Sequence, residues 1–267
     1  MTQGRTNVLS RSKLSERLKE AGVSACAVFV TPETGSTNDD LKEFAMQVDP
    51  PFPALLAADV QTKGRGRQGK TFLSPTGGLY FSCLFPASRP VGELIGATCC
   101  AAVAVCRAVE KLNLGEPKIK WVNDIMAGDG KAAGILCESV GDGELTKALV
   151  IGIGINLCTA PEIGDSDIPA ACFGSPDHPV DAERLCAAIT KELFDFSETD
   201  FSFPPLADEY RAHSMILGKR IRFVKNGEPY EGTVKKIDSK GELHVRVGKS
   251  MIRISSGEIS IRPAKTV

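Results

Sequence analysis

The sequence is poor in the residues that build several common kinds of functional site. Its 267 residues include only three histidines and one tryptophan, and none of its nine cysteines belongs to a C-x-x-C pair. We therefore expect neither a zinc site nor a disulfide framework, but small buried cysteines in a reducing compartment. The histidines, His178, His213 and His244, lie outside every polar cluster, so no nucleophile triad is indicated.

The chain also lacks an excess of charge and a long apolar run. Its 32 basic and 33 acidic side chains give a net charge of −1, which is not typical of a protein that binds nucleic acid or membranes through its whole surface. The first 20 residues are polar and charged, and no apolar segment is long enough to span a bilayer. We expect a cytoplasmic protein without membrane association, with one large and one small domain.

Hydrophobic patterning predicts a mixed order of helices and strands through residue 217. Helices are predicted at residues 9–21, from about residue 38, and at residues 92–112, 181–196 and 206–214. Strands are predicted at residues 25–30, 54–60, 78–85, 118–121, 125–127, 132–138 and 148–156. The helix at 92–112 is apolar on nearly every side, as a central buried helix would be.

Residues 218–267 have a different character. Short alternating strands are predicted at residues 220–224, 230–237, 243–247, 250–254 and 258–261, with hairpin turns such as Lys240-Gly241 between them. This pattern predicts a small SH3-like barrel. The segment holds 12 basic and 5 acidic side chains, a net charge of +7, which suits either an acidic partner or a solvated surface.

One loop combines glycines with basic side chains. Residues 64–70 read GRGRQGK; glycine lets a main chain approach a ligand closely, and arginine offers a planar set of donors for phosphate or carboxylate. The spacing is neither that of a P-loop nor of a dinucleotide fingerprint. Alone, the stretch is compatible with a solvated basic turn. As an anion-binding loop, residues 63–70 should be mobile until ligand binds, since the sequence offers the arginines no evident internal partner.

Four further polar clusters lie at the ends of predicted strands. They are GSTN at 35–38, KWVND at 120–124, GKAAGILCE at 130–138 and GIGIN at 152–156. In this order, with GRGRQGK and the preceding Gln61, they resemble the pattern of biotin protein ligases over roughly residues 34–156. The resemblance implies an α+β fold: a catalytic domain of residues 1–217 with a mixed sheet flanked by helices, then a C-terminal SH3-like β-barrel of residues 218–267.

The resemblance also implies a two-step ligase reaction with biotin and MgATP as substrates. Biotin and ATP give biotinyl-5′-AMP and pyrophosphate, and a lysine of a biotin carboxyl carrier domain then takes the biotinyl group as an amide. The residues ahead of Ser36 are too few for the winged helix-turn-helix of bifunctional members, so a monofunctional enzyme without DNA binding is expected. Members often form homodimers, for which the sequence gives no separate sign.

Roles are carried over from the family by motif position. The implied biotin-binding residues are Ser36, Thr37, Asn38, Gln61, Arg65, Gly66, Arg67, Lys131 and Gly134. The implied nucleotide-binding residues are Arg65, Arg67, Phe72, Asn123, Lys131 and Asn156. The implied catalytic residues are Lys131, Arg67 and Asp124, and Asp124 is also the implied ligand of Mg²⁺. Hydroxyl and amide groups suit the neutral ureido ring of biotin, and an ammonium group suits two anions brought together.

Several of these residues have a plainer alternative. Ser36 is a typical helix N-cap, Lys131 and Asp124 fit surface turns, and Asn156 fits a strand-end hydrogen bond. Phe72 stands where many family members have Trp, which keeps a ring but loses an N–H donor. Lipoate–protein ligase or octanoyltransferase activity and a non-enzymatic biotin-responsive regulator are the competing hypotheses.

Overall fold

The computed structural model of the chain describes residues 8–49, 51–87, 94–141, 146–161, 168–175, 177–225, 227–255 and 262–263. Its helices are α1 (Arg11–Glu20), α2 (Thr37–Gln47), α3 (Leu94–Lys111), α4 (Ala182–Ser197) and α5 (Ala207–His213). The strands of the first sheet are β1 (Ala27–Thr34), β2 (Ala54–Gln61), β3 (Gly78–Pro86), β4 (Pro117–Lys120), β5 (Asp124–Ala127), β6 (Gly130–Val140) and β7 (Ala148–Asn156). Those of the second are β8 (Arg220–Lys225), β9 (Glu228–Ile237), β10 (Leu243–Val247), β11 (Ser250–Ile254) and β12 (Arg262–Pro263).

The first sheet is mixed, as predicted. Its strand order is β1-β2-β3-β7-β6-β5-β4; β1 and β2 are parallel, and the other neighbours are antiparallel. Helix α2 packs on one face through an apolar cluster that includes Leu41, Ala45 and Leu84. Helices α1, α3 and α4 cover the other face. The sheet is therefore enclosed on both sides, which explains why β3 and β7 are almost continuously apolar.

Helix α3 lies at the centre of the larger core. Its side chains from Ala97 to Cys106 are all but inaccessible to solvent, because the helix packs against both the sheet and α4. Small residues such as Ala and Cys let these neighbours approach closely. All nine cysteines are unpaired thiols; five are buried, Cys99, Cys100 and Cys106 within this core, and the other four are partly exposed, unlike the buried thiols predicted.

The second sheet is antiparallel, in the order β11-β10-β9-β8-β12, which confirms the small C-terminal β domain. The strand predicted at 258–261 lies outside the described residues, and β12 follows directly after it. The predicted boundary after residue 217 falls between α5 and β8 and stays a prediction. Apolar side chains of both sheets, among them Ile221 and Phe223, join one continuous core.

Element boundaries depart from the predictions by a few residues. The helix predicted at 206–214 is preceded by a 3-10 turn (Pro204–Leu206), in which the nitrogens of Leu206 and Ala207 donate to the oxygens of Phe203 and Pro204, and α5 follows it. Strand β6 starts at Gly130 rather than at residue 132, because Gly130 and Lys131 already pair with Ala127 and Met126 of β5. No helix in the described ranges is long and apolar enough to cross a membrane.

Candidate active site

The polar clusters meet in one cleft of about 190 Å³ at the ends of the central strands. Of the predicted site residues, those that line it are Ser36, Thr37, Asn38, Gln61, Arg65, Gly66, Arg67, Phe72, Asn123, Asp124, Lys131 and Gly134. They come from the start of α2, the end of β2 and the loop after it, the turn before β5 and its first residue, and strand β6. Residues 36–134 are thus brought together by the sheet topology rather than by nearness in sequence.

One end of the cleft is uncharged and polar. Ser36 is the N-cap of α2, so the plainer alternative is confirmed, and it also lines the cleft. Gln61 Oε1 accepts hydrogen bonds from the backbone nitrogen of Thr37 at 3.0 Å and from its hydroxyl at 3.1 Å, while Gln61 Nε2 donates to Ser74 Oγ at 2.9 Å. These contacts fix the amide of Gln61 against the first turn of α2.

The Gly/Arg loop (residues 64–70) is folded into a small hairpin. Arg65 pairs with Thr71, the Gly66 nitrogen donates to the Lys70 oxygen at 2.7 Å, and Gln68 and Gly69 turn the chain with φ of 56° and 71°. Left-handed backbone of this kind favours glycine, which accounts for Gly69.

Both arginines of the Gly/Arg loop have partners within the chain. Arg65 donates to Asp39 at 2.7 Å and to Glu138 at 2.6 Å, and Arg67 donates to Asn123 Oδ1 at 3.3 Å. The expectation that they lack internal partners is therefore wrong. Sequence reasoning missed these partners because Asp39 and Glu138 lie 26 and 73 residues from Arg65. The predicted mobility of the loop stays a prediction.

Another part of the cleft lining is an ion pair beside an aromatic ring. Lys131 Nζ lies 2.6 Å from Asp124 Oδ1 and 5.6 Å from the centroid of the Phe72 ring. The ring rests on Gly134 and Gly154, which are register partners in β6 and β7. A Cβ at Gly134 would stand 2.9 Å from the ring and 3.2 Å from Lys131 Nζ, so only glycine leaves room for this arrangement.

Asn156 is the one predicted site residue outside the cleft lining. It is buried at the end of β7, where its side-chain nitrogen donates to the backbone oxygens of Lys131 at 3.3 Å and Ala171 at 2.9 Å. This is the strand-end hydrogen bonding weighed as its alternative. Its predicted contact with a nucleotide stays a prediction.

Burial and charge set the pKa values of the cleft arginines in opposite directions. Burial lowers the pKa of Arg67, although the nearby charge of Asp124 opposes that effect. Burial also acts to lower the pKa of Arg65, but the hydrogen bond and charge of Glu138 outweigh it and raise that pKa. Both guanidinium groups stay protonated at neutral pH, so the cleft presents fixed positive charge.

No role was predicted from the sequence for two residues that line the cleft, Lys120 and Gly152. Lys120 is only 7% exposed, and in the β4–β5 register it faces Asp124. Facing residues of an antiparallel pair project to the same side of the sheet, which was the available signal. Gly152 is the other, since any side chain there would occupy the position of the Asn38 amide.

The side chains that the structure describes do not form a binding site for a permanently bound metal ion. Among the described residues no group of three or more His, Cys, Asp or Glu side chains could hold a metal ion. Asp124 is a single carboxylate already paired with Lys131. One carboxylate could bind a Mg²⁺ ion that keeps water and phosphate oxygens as most of its ligands, and the predicted role of Asp124 as a Mg²⁺ ligand stays a prediction.

Comparisons with known proteins agree with this architecture. The Biotin/lipoate A/B protein ligase family matches residues 30–156, and the Biotin protein ligase C terminal domain matches residues 216–262. A biotin–[acetyl-CoA-carboxylase] ligase of Mycobacterium tuberculosis is 30% identical over 262 residues, covering 94% of this chain and 95% of that protein. One of Paracoccus denitrificans is 30% identical, covering 80% of this chain and 91% of that protein.

A solved relative has the same fold. The biotin protein ligase from Aquifex aeolicus in complex with biotin and ATP matches with a TM-score of 0.72 and 26% identity, over 89% of this chain and 99% of that chain. Sequence and fold therefore agree over both domains, and the chain belongs to the biotin protein ligase family.

Proposed function

We propose that this ligase activates biotin with ATP as biotinyl-5′-AMP and transfers the biotinyl group to a lysine of a biotin carboxyl carrier domain. The observation that carries the proposal is that one cleft holds both a neutral polar end, formed by Ser36, Thr37 and Gln61, and a cationic end. At the cationic end Lys131 is paired with Asp124. Relatives named for biotin and for acetyl-CoA carboxylase support the substrate and the acceptor.

The neutral end suits the ureido head of biotin. Ser36 and Thr37 offer hydroxyl groups and Gln61 offers an amide, which match a ring that both donates and accepts hydrogen bonds. No charged side chain is required there, because the ring is neutral. Biotin bound this way would direct its valeryl carboxylate toward Lys131.

The cationic end suits the adenylation step. A carboxylate oxygen of biotin attacks the α-phosphorus of ATP, the bond from that phosphorus to the bridging oxygen breaks, and pyrophosphate leaves with the electron pair. Two anions must approach each other, so the Lys131 ammonium and the Arg67 guanidinium lower the barrier by offsetting their charge. Asp124 holds the ammonium in place by its 2.6 Å ion pair, and Mg²⁺ arrives with the nucleotide.

The second step needs the cleft to admit a lysine but exclude water. The amine of the acceptor lysine attacks the acyl carbon, the bond to the AMP oxygen breaks, and an amide forms with release of a proton. The Gly/Arg loop spans the cleft through the contact of Arg67 with Asn123, and it is therefore placed to shield the reactive anhydride. We assign the reaction to the cytoplasm, where nine free thiols stay reduced.

The proposal is tested by pyrophosphate exchange into ATP without any acceptor protein. Exchange that depends on biotin, and not on lipoate or octanoate, is expected. Transfer is then measured with a purified carrier domain and with the same domain lacking its target lysine. Exchange with lipoate alone would assign the chain to the lipoate branch, and biotin binding without exchange would make it a biotin-responsive regulator.

A further inference from the structure

Glu138 closes the GKAAGILCE motif, and the reaction described above gives it no task. It lies on β6, and its side chain is 21% exposed behind the cleft. Its Oε1 accepts from Lys42 Nζ at 2.9 Å, and its Oε2 accepts from Asn38 Nδ2 at 2.8 Å and from Arg65 at 2.6 Å. One carboxylate thus joins helix α2, the Gly/Arg loop and the strand that carries Lys131.

The carboxylate also fixes the orientation of the Asn38 amide. Glu138 Oε2 and the backbone oxygen of Leu136 are acceptors only, so the NH₂ group of Asn38 must face them. The Asn38 Oδ1 atom then faces Ser82 and accepts its hydroxyl proton at 2.6 Å.

The same constraint reaches the polar end of the cleft. A serine hydroxyl has one proton, and that of Ser82 is committed to Asn38. The 2.7 Å contact between the hydroxyls of Ser82 and Thr37 therefore requires Thr37 to donate, and its one proton is shared between Ser82 Oγ and the more distant Gln61 Oε1 at 3.1 Å. The hydrogen-bond chain Glu138–Asn38–Ser82–Thr37 is directional, and its direction follows from the two acceptors that face the Asn38 amide, of which Glu138 Oε2 is the nearer and the charged one.

We propose that Glu138 is a positioning residue that acts on two parts of the active site. It holds Arg65, and with it the Gly/Arg loop. Through Asn38 and Ser82 it also orients the Thr37 hydroxyl. This inference rests on the proposed function. Charge is essential to it, because two cations, Lys42 and Arg65, converge on the carboxylate. A glutamine can both donate and accept, so it would release the guanidinium and allow the Asn38 amide to flip.

The test uses two variants that separate the two branches. Glu138→Gln interrupts both branches, and Ser82→Ala interrupts only the branch toward Thr37. Glu209→Gln is the matched control, since Glu209 also binds an arginine, Arg107, at 2.7 Å but lies away from the cleft. For each protein, the biotin KM and ATP KM in pyrophosphate exchange and the dissociation rate of biotinyl-5′-AMP are measured, with the midpoint of thermal unfolding.

The expected result is a specific pattern. Glu138→Gln should raise the biotin KM and speed adenylate loss, each by about tenfold, the effect of one lost charged hydrogen bond. Ser82→Ala should raise only the biotin KM, and Glu209→Gln should change neither. Adding Arg65→Ala to Glu138→Gln should not speed adenylate loss beyond Arg65→Ala alone, because both changes remove one contact.

Other patterns would overturn the inference. A Glu138→Gln enzyme that is merely less heat-stable, with an unchanged biotin KM and adenylate retention, would show a structural role only. Additive effects of Arg65→Ala and Glu138→Gln would show that Glu138 does not act through the loop. A parent protein without biotin-dependent exchange would instead refute the proposed function, so the two failures are distinct.

Discussion

The indole nitrogen of Trp121 donates a 2.7 Å hydrogen bond to the backbone oxygen of Gly241. Trp121 lines the cleft, whereas Gly241 lies in the turn between β9 and β10 of the C-terminal sheet. A wall of the candidate active site is therefore held by the second sheet. The C-terminal domain should influence the chemistry of the first domain through this contact.

The turn at Gly241 should be intolerant of any side chain. Its φ is +83°, and a Cβ would stand 2.8 Å from the sulfur of Cys99. Gly218→Ala is the control, because Gly218 has φ +78° but open space around it. Both changes should lower the free energy of unfolding by about 1–2 kcal/mol, because a side chain disfavours left-handed backbone.

Only Gly241→Ala should also displace Trp121 and lower biotin-dependent pyrophosphate exchange. Equal exchange in both variants would argue against coupling between the C-terminal sheet and the cleft. Urea unfolding measures the stability change.

Lys131 should be required for chemistry rather than for folding. Lys131→Gln is expected to slow pyrophosphate exchange by about 10²–10³-fold, since it removes a preorganised charge from the site of phosphoryl transfer. Unfolding free energy should change by about 1 kcal/mol or less, because the pair with Asp124 is partly exposed. Lys191→Gln is the control: Lys191 forms a comparable pair with Asp195 on α4. Comparable rates of pyrophosphate exchange in both variants would show that Lys131 has no role in the adenylation step.

The contrast between Lys131 and Arg65 shows what sequence could predict. The ordered motifs placed Lys131 in the cleft because each followed a strand and the strands share a sheet. The partners of Arg65 were not predictable, because Asp39 and Glu138 meet it only after α2 packs over the sheet. Long-range side-chain pairing depends on tertiary packing, which local pattern does not contain.

The packing of the Phe72 ring on two glycines was likewise not predictable from the sequence. The motif predicted that Gly134 lies near the ligand. It did not predict that the missing Cβ of Gly134 makes room for an aromatic ring. Gly134→Ala should displace Phe72 and Lys131 and lower exchange by about tenfold or more, as small misplacements of reacting groups do. Gly96→Ala on α3 is the control, because its Cβ would make ordinary contact at 3.6 Å with Phe203. Unchanged exchange in Gly134→Ala would mean that ring and lysine adjust without cost.

Glu138 should give the protein an acid-sensitive component of stability. Burial raises the pKa of its carboxyl, but hydrogen bonds from Asn38, Arg65 and Lys42 outweigh that effect and bring the pKa below its usual range. A group with a lower pKa in the folded state stabilises above its unfolded pKa of about 4.3 and loses that contribution as pH falls through the folded value.

The measurement is the unfolding free energy of parent and Glu138→Gln between pH 7 and pH 3. The advantage of the parent should be constant near neutrality and should shrink below about pH 4.3. Glu16→Gln, at an exposed position of α1, is the control for loss of one carboxylate from the protein surface. A gap between parent and variant that widens on acidification would contradict the sign of the shift.

Arg67 should retain the activated intermediate. Its guanidinium reaches from the loop after β2 to Asn123 before β5, so it spans the cleft over the place where biotinyl-5′-AMP would lie. Arg67→Gly should leave the fold intact, because glycine suits the loop backbone and the side chain is not part of the apolar core. It should form adenylate yet lose it faster, so that activated biotin labels nearby lysines without selectivity.

Lys63→Gly is the control for Arg67, since it removes one exposed positive charge just before the same loop but from outside the cleft lining. The measurements are the dissociation rate of biotinyl-5′-AMP and the biotin label on an unrelated lysine-rich protein. Faster release and indiscriminate labelling in Arg67→Gly alone would support a lid. Slower adenylation with normal retention would mean that Arg67 acts only in the chemical step, and that the loop shields the anhydride without the Arg67 guanidinium.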